Sequence, residues 1–173
     1  MDLTKVRIGA CQVFYKSRDL GHTLGGVELS LDREFKDINV DKYGTTAVDK
    51  ALTGQNFKAK VTLAQPDFYN LDVAMPESSA FDGAGGLDRV NIGTDAGFLL
   101  RGEGGLLVLH PLNKAVSDFS EDINIYIAVS VETVEMAYKV DEQRVLAITF
   151  QALVSESYDS GRRLGHIGPA AVS

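Results

Sequence analysis

The sequence predicts a mainly β fold, a sandwich or barrel with one short flanking α-helix and a long glycine-rich loop. Three observations lead there. Apolar and polar residues alternate with period two in several strand-length runs. Only one segment carries the punctuation of a helix. Eight of the 17 glycines fall within residues 83–105, a concentration that suits a loop rather than a packed element.

Taken in order, residues 6–15 form a mostly apolar run of strand length. Gly25-Gly26 then opens Val27-Glu28-Leu29-Ser30-Leu31-Asp32, with Val27, Leu29 and Leu31 on one face and Glu28, Ser30 and Asp32 on the other. Residues 35–40 follow with Ile38 and Val40 in phase, and the two runs together predict a hairpin. Tyr43-Gly44-Thr45-Thr46 reads as a turn. Residues 57–63 alternate again, with Lys58, Lys60 and Thr62 on the wet side.

Residues 67–75 are the best helix. Asp67 can cap it, Pro66 precedes it and Pro76 stops it, and Phe68, Leu71 and Met75 share one face. Residues 76–105 are a long loop excursion holding short strands at 89–92 and 98–100. The chain then re-enters the core at Leu106-Leu107-Val108-Leu109-His110, ended by Pro111. Residues 123–131 and 134–138 are strands, Asp141-Glu142-Gln143 is a turn, and residues 144–154 form the longest strand. A polar tail follows from Ser155.

Composition narrows function. The 173 residues make one domain, 45% hydrophobic and 24% charged, able to bury a real core. A net charge of -7 opposes conventional phosphate-gripping nucleic-acid binding, which needs a basic face. Residues 1–60 carry +2 and residues 61–173 carry -9, a bipolarity that suits head-to-tail stacking. The single cysteine, Cys11, sits in an apolar run, supports no intramolecular disulfide or cysteine-cluster zinc site, and fits a buried thiol in a reducing cytoplasm. The N-terminal residues lack the apolar stretch of a signal peptide, and no apolar run approaches a membrane span.

Catalytic constellations are missing. The sequence has no Gly-x-Ser-x-Gly elbow and no phosphate-binding loop ending in Gly-Lys-Ser/Thr. His22, His110 and His166 are scattered, without metal-ligand spacing. The acidic cluster Asp118-Phe119-Ser120-Glu121-Asp122 departs from a calcium-loop pattern and reads as a solvated loop. Lys58, Lys60 and Arg162-Arg163 lack the aromatic interleaving of a single-strand binder. The expectation is a non-catalytic protein with no cofactor, no metal site and no membrane partner.

A dispersed set of motifs is more specific. Gly25-Gly26-Val27-Glu28-Leu29-Ser30-Leu31-Asp32, then Phe35-Lys36-Asp37-Ile38-Asn39-Val40-Asp41-Lys42-Tyr43-Gly44-Thr45-Thr46-Ala47-Val48-Asp49, then Thr53-Gly54, resembles the N-terminal half of bacteriophage tail tube proteins. Leu106-Leu107-Val108-Leu109-His110-Pro111-Leu112, Ala137-Tyr138-Lys139-Val140-Asp141-Glu142-Gln143-Arg144, the Thr149-Phe150 strand and the ending His166-Ile167-Gly168 are similar to that family too. Ala47 stands where the family pattern has proline. The shared order spans about residues 20 to 168.

The resemblance implies a tail-tube-type β-sandwich or barrel. It implies rings of six subunits whose inner sheets join into one barrel, stacked into a tube. Such a tube, assembled in the host cytoplasm and carried in the virion, holds the tape measure protein and conducts DNA during ejection. Partners would be further copies of the chain, the tail terminator, the baseplate or tip proteins and, in a contractile tail, a sheath protein. Relatives include inner-tube proteins of contractile injection machines. Glu28, Asp32, Asp37 and Asp41 are the candidate lumen-facing residues, since an acidic channel repels phosphate. The glycine-rich segment is expected to reach a neighbouring subunit, so that deletion of residues 82–87 blocks tube growth. The contrasting expectation is a small β-barrel ligand-binding module with its pocket under that loop.

Overall fold

A computed structural model describes residues 9–81, 88–93, 96–136, 140–141, 143–158, 161 and 163–169. The chain is mainly β, as its alternation predicts. The strands are β1 (Cys11–Tyr15), β2 (Arg18–Asp19), β3 (Thr23–Asn39), β4 (Ala47–Leu63), β5 (Ser79–Phe81), β6 (Arg89–Asn91), β7 (Gly105–Pro111), β8 (Ile123–Ser130), β9 (Leu146–Ala152) and β10 (Gly165–Ile167), with one helix, α1 (Phe68–Ala74).

One antiparallel sheet runs in the order β2-β1-β7-β8-β9-β4-β3, and β10 pairs with the β8 residues that β9 leaves free. The sheet curls so that β1 approaches β3, but it does not close into a barrel. One face holds the core. Val13 and Tyr15, then Leu107 and Leu109, Ile125, Leu146, Ile148 and Phe150, and Ala59, Val61 and Leu63 alternate onto it. Tyr15 stacks obliquely on Phe150 with ring centroids 5.1 Å apart, and its hydroxyl lies 2.9 Å from the Glu103 carbonyl oxygen. Burial pushes the Tyr15 phenol well above its ordinary range.

Helix α1 forms where its caps predict. The Asp67 side chain accepts a hydrogen bond from the Asn70 N–H at 2.7 Å. Its buried face is different from the predicted one. Phe68 is half exposed, while Asn70 and Ala74 are buried. The physical reason is polar anchoring: the Asn70 amide donates to the carbonyls of Leu20 and Gln65, and Ser130 donates to the Ala74 carbonyl.

Four further expectations are corrected. Residues 27–32 and 35–40 are not two arms of a hairpin but parts of the single 17-residue strand β3, because Arg33-Glu34 supplies no turn residue. The hairpin partner is the 17-residue β4, reached through a 3-10 turn at Asp41–Tyr43 and Gly44 at φ 61°. These two, not residues 144–154, are the longest strands. Residues 98–100 form no strand, and a 3-10 turn spans Leu100–Glu103, whereas 89–91 does pair, with Ser79–Phe81. Residues 134–136 are not a strand. Positions 6–8, 82–87 and 137–139 lie outside the described residues.

Candidate assembly surface

The long hairpin divides into two parts. Near the body, Lys58 to Leu63 of β4 pair with β9 on one side and β3 on the other. Among the described residues, β4 has only β3 beside it beyond Lys58. The two strands leave the sheet as a two-stranded arm. From Leu31 to Asn39 the arm extends roughly 25–30 Å at about 3.3 Å per residue. An isolated two-stranded ribbon of this kind is marginal in water.

The arm is also rich in unburied apolar surface. Leu29, Leu31, Phe35 and Leu52 are 40–51% exposed, and Ile38, Val40, Tyr43 and Val48 near the tip 42–55%. Register explains the grouping. Leu29 opposes Ala59, Leu31 opposes Phe57 and Phe35 opposes Leu52, so these side chains share one face. An extra residue in β4, Thr53, makes a bulge between the Glu34–Gly54 and Phe35–Leu52 pairs. Covering such side chains is worth on the order of 1 kcal/mol each.

The opposite face is polar and mixed in charge. Glu28 opposes Lys60, Ser30 opposes Lys58, and Asp32 opposes Asn56. Lys58 makes an ion pair with Glu132 at 3.3 Å, and Thr149 donates to the same carboxylate at 2.8 Å. The Thr149 and Lys58 hydrogen bonds hold the Glu132 carboxyl below its usual range.

The four acidic residues singled out in the sequence are not brought together. Glu28 and Asp32 share the polar face with Lys58 and Lys60. Asp37, of opposite parity on β3, falls on the other face, where its carboxylate pairs with Lys50 at 3.2 Å. Asp41 lies in the 3-10 turn at the tip. The projecting arm carries no basic excess either: its basic groups, Arg33, Lys36, Lys42 and Lys50, are interleaved with acidic ones. The charge bipolarity of the sequence therefore does not map onto arm against body.

The acidic cluster is a loop only in part. Asp122 is 4% exposed and His110 6%, and His110 Nδ1 lies 2.7 Å from Asp122 Oδ1. The pair is covered by the loop over residues 112–121, which Lys114 ties together through Asp118 at 3.1 Å and Glu121 at 3.3 Å. The Ser120 hydroxyl and N–H, followed by Lys114, hold the Asp118 carboxyl at about 2. Cys11 is half-buried rather than enclosed, and burial raises its thiol pKa.

A cleft of about 330 Å³ is lined by Pro76, Ser78, Ala80, Phe98 and Glu103 of the 76–105 segment, where the ligand-binding expectation placed a pocket. A more spacious cleft lies away from that segment. It opens between the base of the arm and β10, with a volume of about 680 Å³. Leu29, Leu31 and Phe57 form one wall, and Leu164, Gly165 and Ile167 the other. Arg163 and His166 also line it. Ile167 is 75% exposed. Sequence reading missed this site because its walls are more than 100 residues apart. It also missed the arm, although the lack of any Gly, Pro or Asn between Val27 and Ile38 was a usable signal.

Among the described residues, no group of three or more His, Cys, Asp and Glu is placed to hold a metal ion, and no helix is long and apolar enough to cross a membrane. No protein-family model and no curated protein matches this chain.

Proposed function

We propose that this protein is a non-catalytic subunit that assembles with copies of itself, the tube protein of a bacteriophage tail. The observation that carries the reading is the arm. It exposes apolar side chains on a ribbon with two open edges, a feature soluble monomers normally suppress. Self-assembly removes both liabilities. A neighbour's strand satisfies an edge, and a neighbour's surface covers the apolar face. A head-to-tail contact of this sort closes into a ring or continues as a filament, depending on its rotation.

The motif order from Gly25 to Gly168 supports the specific form: rings of six, stacked around the tape measure protein, capped by terminator and tip proteins, and traversed by DNA. A net charge of -7 suits a conduit from which phosphate must slide freely. The inner tube of a contractile injection machine would use the same contacts and differ in what passes through.

Negative-stain electron microscopy of the purified protein over a concentration series, with mass measurement in parallel, tests this. Rings or tubes with six-fold end views are the expected outcome. Replacing residues 35–53 by Asn-Gly, which places a two-residue turn between Glu34 and Gly54, should leave a folded monomer that no longer assembles. A monodisperse wild-type monomer at every concentration would count against the reading.

A further inference from the structure

We propose that the cleft between the arm base and β10 receives the arm tip of a second copy of this chain. The inference rests on the self-assembly reading and names the surface that reading leaves open. Three observations carry it.

The first is unmatched apolar surface at both ends of one element. Val40, Tyr43 and Val48 crowd the arm tip, each 42–55% exposed. The cleft at the arm base is lined by Leu29, Leu31, Phe57, Leu164 and Ile167. A volume of about 680 Å³ lies in the range that accommodates a cluster of a few large side chains.

The second is distance. The tip stands roughly 25–30 Å from Leu31 along the strand, so a chain cannot fold its own tip into its own cleft without breaking the β3–β4 ladder. The occupant therefore comes from another molecule. A tip-into-base contact is heterologous, leaves each joined pair with one free tip and one free cleft, and so propagates.

The third is charge. Arg163 lines the cleft, and at the tip, where Lys50 is already paired with Asp37, Asp41 and Asp49 outnumber Lys42 beside the apolar residues. Seating the tip would set Arg163 against that small acidic excess at the edge of an apolar contact, an arrangement that fixes orientation more than affinity.

Disulfide trapping tests the contact in the full-length protein. In a Cys11→Ala background, one preparation carries Tyr43→Cys and a second carries Ile167→Cys. Mixed at an assembling concentration and oxidised mildly, they should give cross-linked dimers that neither gives alone. Ile167→Asp, at a site already three-quarters exposed, should leave the monomer's thermal midpoint unchanged and raise the concentration needed for assembly at least tenfold. Wild-type assembly by Ile167→Asp, together with intact rings or tubes that yield no cross-link, would overturn this inference and leave self-assembly standing. Failure of the wild-type protein to form any oligomer would overturn both. Saturable uptake of a small apolar probe into the cleft of a permanent monomer would assign it to a ligand instead.

Discussion

Strands β3 and β4 belong to two environments at once. Near the body, Ala59, Val61 and Leu63 are fully buried beneath the sheet, paired with β9 and packed against Phe150 and its neighbours. A few residues further along the same strand, Phe35 and Leu52 oppose each other with about half of each surface in water. The β3–β4 ladder runs through both, with a bulge at Thr53, but beyond Lys58 β4 loses its second partner, β9, and burial is lost with it. The body is a folding unit stabilised by its own core, and on the proposed self-assembly the arm is an association unit whose apolar groups would contribute fully only between molecules.

Mutation separates the two most sharply. Phe150→Ala should cost about 4 kcal/mol of monomer stability by opening a cavity in a closed core. Phe35→Ala should cost under about 0.5 kcal/mol, as for a surface site, yet weaken assembly. Urea unfolding of dilute protein measures the first, and concentration-dependent light scattering the second. A Phe35→Ala monomer as unstable as the Phe150→Ala one would break the division. Hydrogen exchange sharpens it: amides of residues 31–39 should exchange early in dilute protein and become protected on assembly.

Next in size is the buried His110–Asp122 pair. Asp122→Ala strands His110 beneath the 112–121 loop and should cost roughly 3 kcal/mol, whereas Asp122→Asn should cost less by retaining an acceptor. Thermal denaturation of the two variants checks the order, and equal losses would assign the effect to packing alone. Smaller again is the helix cap. Asp67→Ala should remove about 1 kcal/mol through the lost bond to the Asn70 N–H.

The smallest effect is set by pH. The Asp118 carboxyl is held at about 2, below an ordinary value near 3.9. A depressed carboxyl favours the folded loop above about pH 4 and loses that contribution as pH falls toward 2. Carboxyl carbon chemical shifts followed by NMR should show the low midpoint. A midpoint near 4 would mean that the Ser120 and Lys114 contacts do not persist in solution.

Much of this architecture was legible residue by residue. Alternation at 27–32 and 57–63 located two strands and sorted their faces, and parity alone separates Asp37 from Glu28 and Asp32 once β3 is known to be unbroken. Asp67, Pro66 and Pro76 marked the helix because capping is a local matter. The misread hairpin came from splitting β3 where its pattern pauses at Arg33-Glu34. What stayed hidden depends on distant partners: the Asn70 anchor on Leu20, the Asp122 partner of His110, and a cleft joining residues near 30 to residues near 165. No local signal encodes such meetings.

On the proposed tip-to-base contact, the bulge at Thr53 would bear on assembly size. An extra residue on one strand bends and twists a two-stranded ribbon, so it sets the direction in which the tip is aimed. Where copies are joined tip to base, that direction becomes the angle between successive molecules. Subunit number in a ring would then depend on the bulges of the arm, at Thr53 and nearer the tip at Val48, acting through curvature with the contact chemistry unchanged. Deleting Thr53 leaves Phe35 opposite Leu52 and both faces as they are, yet should straighten the arm and change the diameter of whatever the copies build.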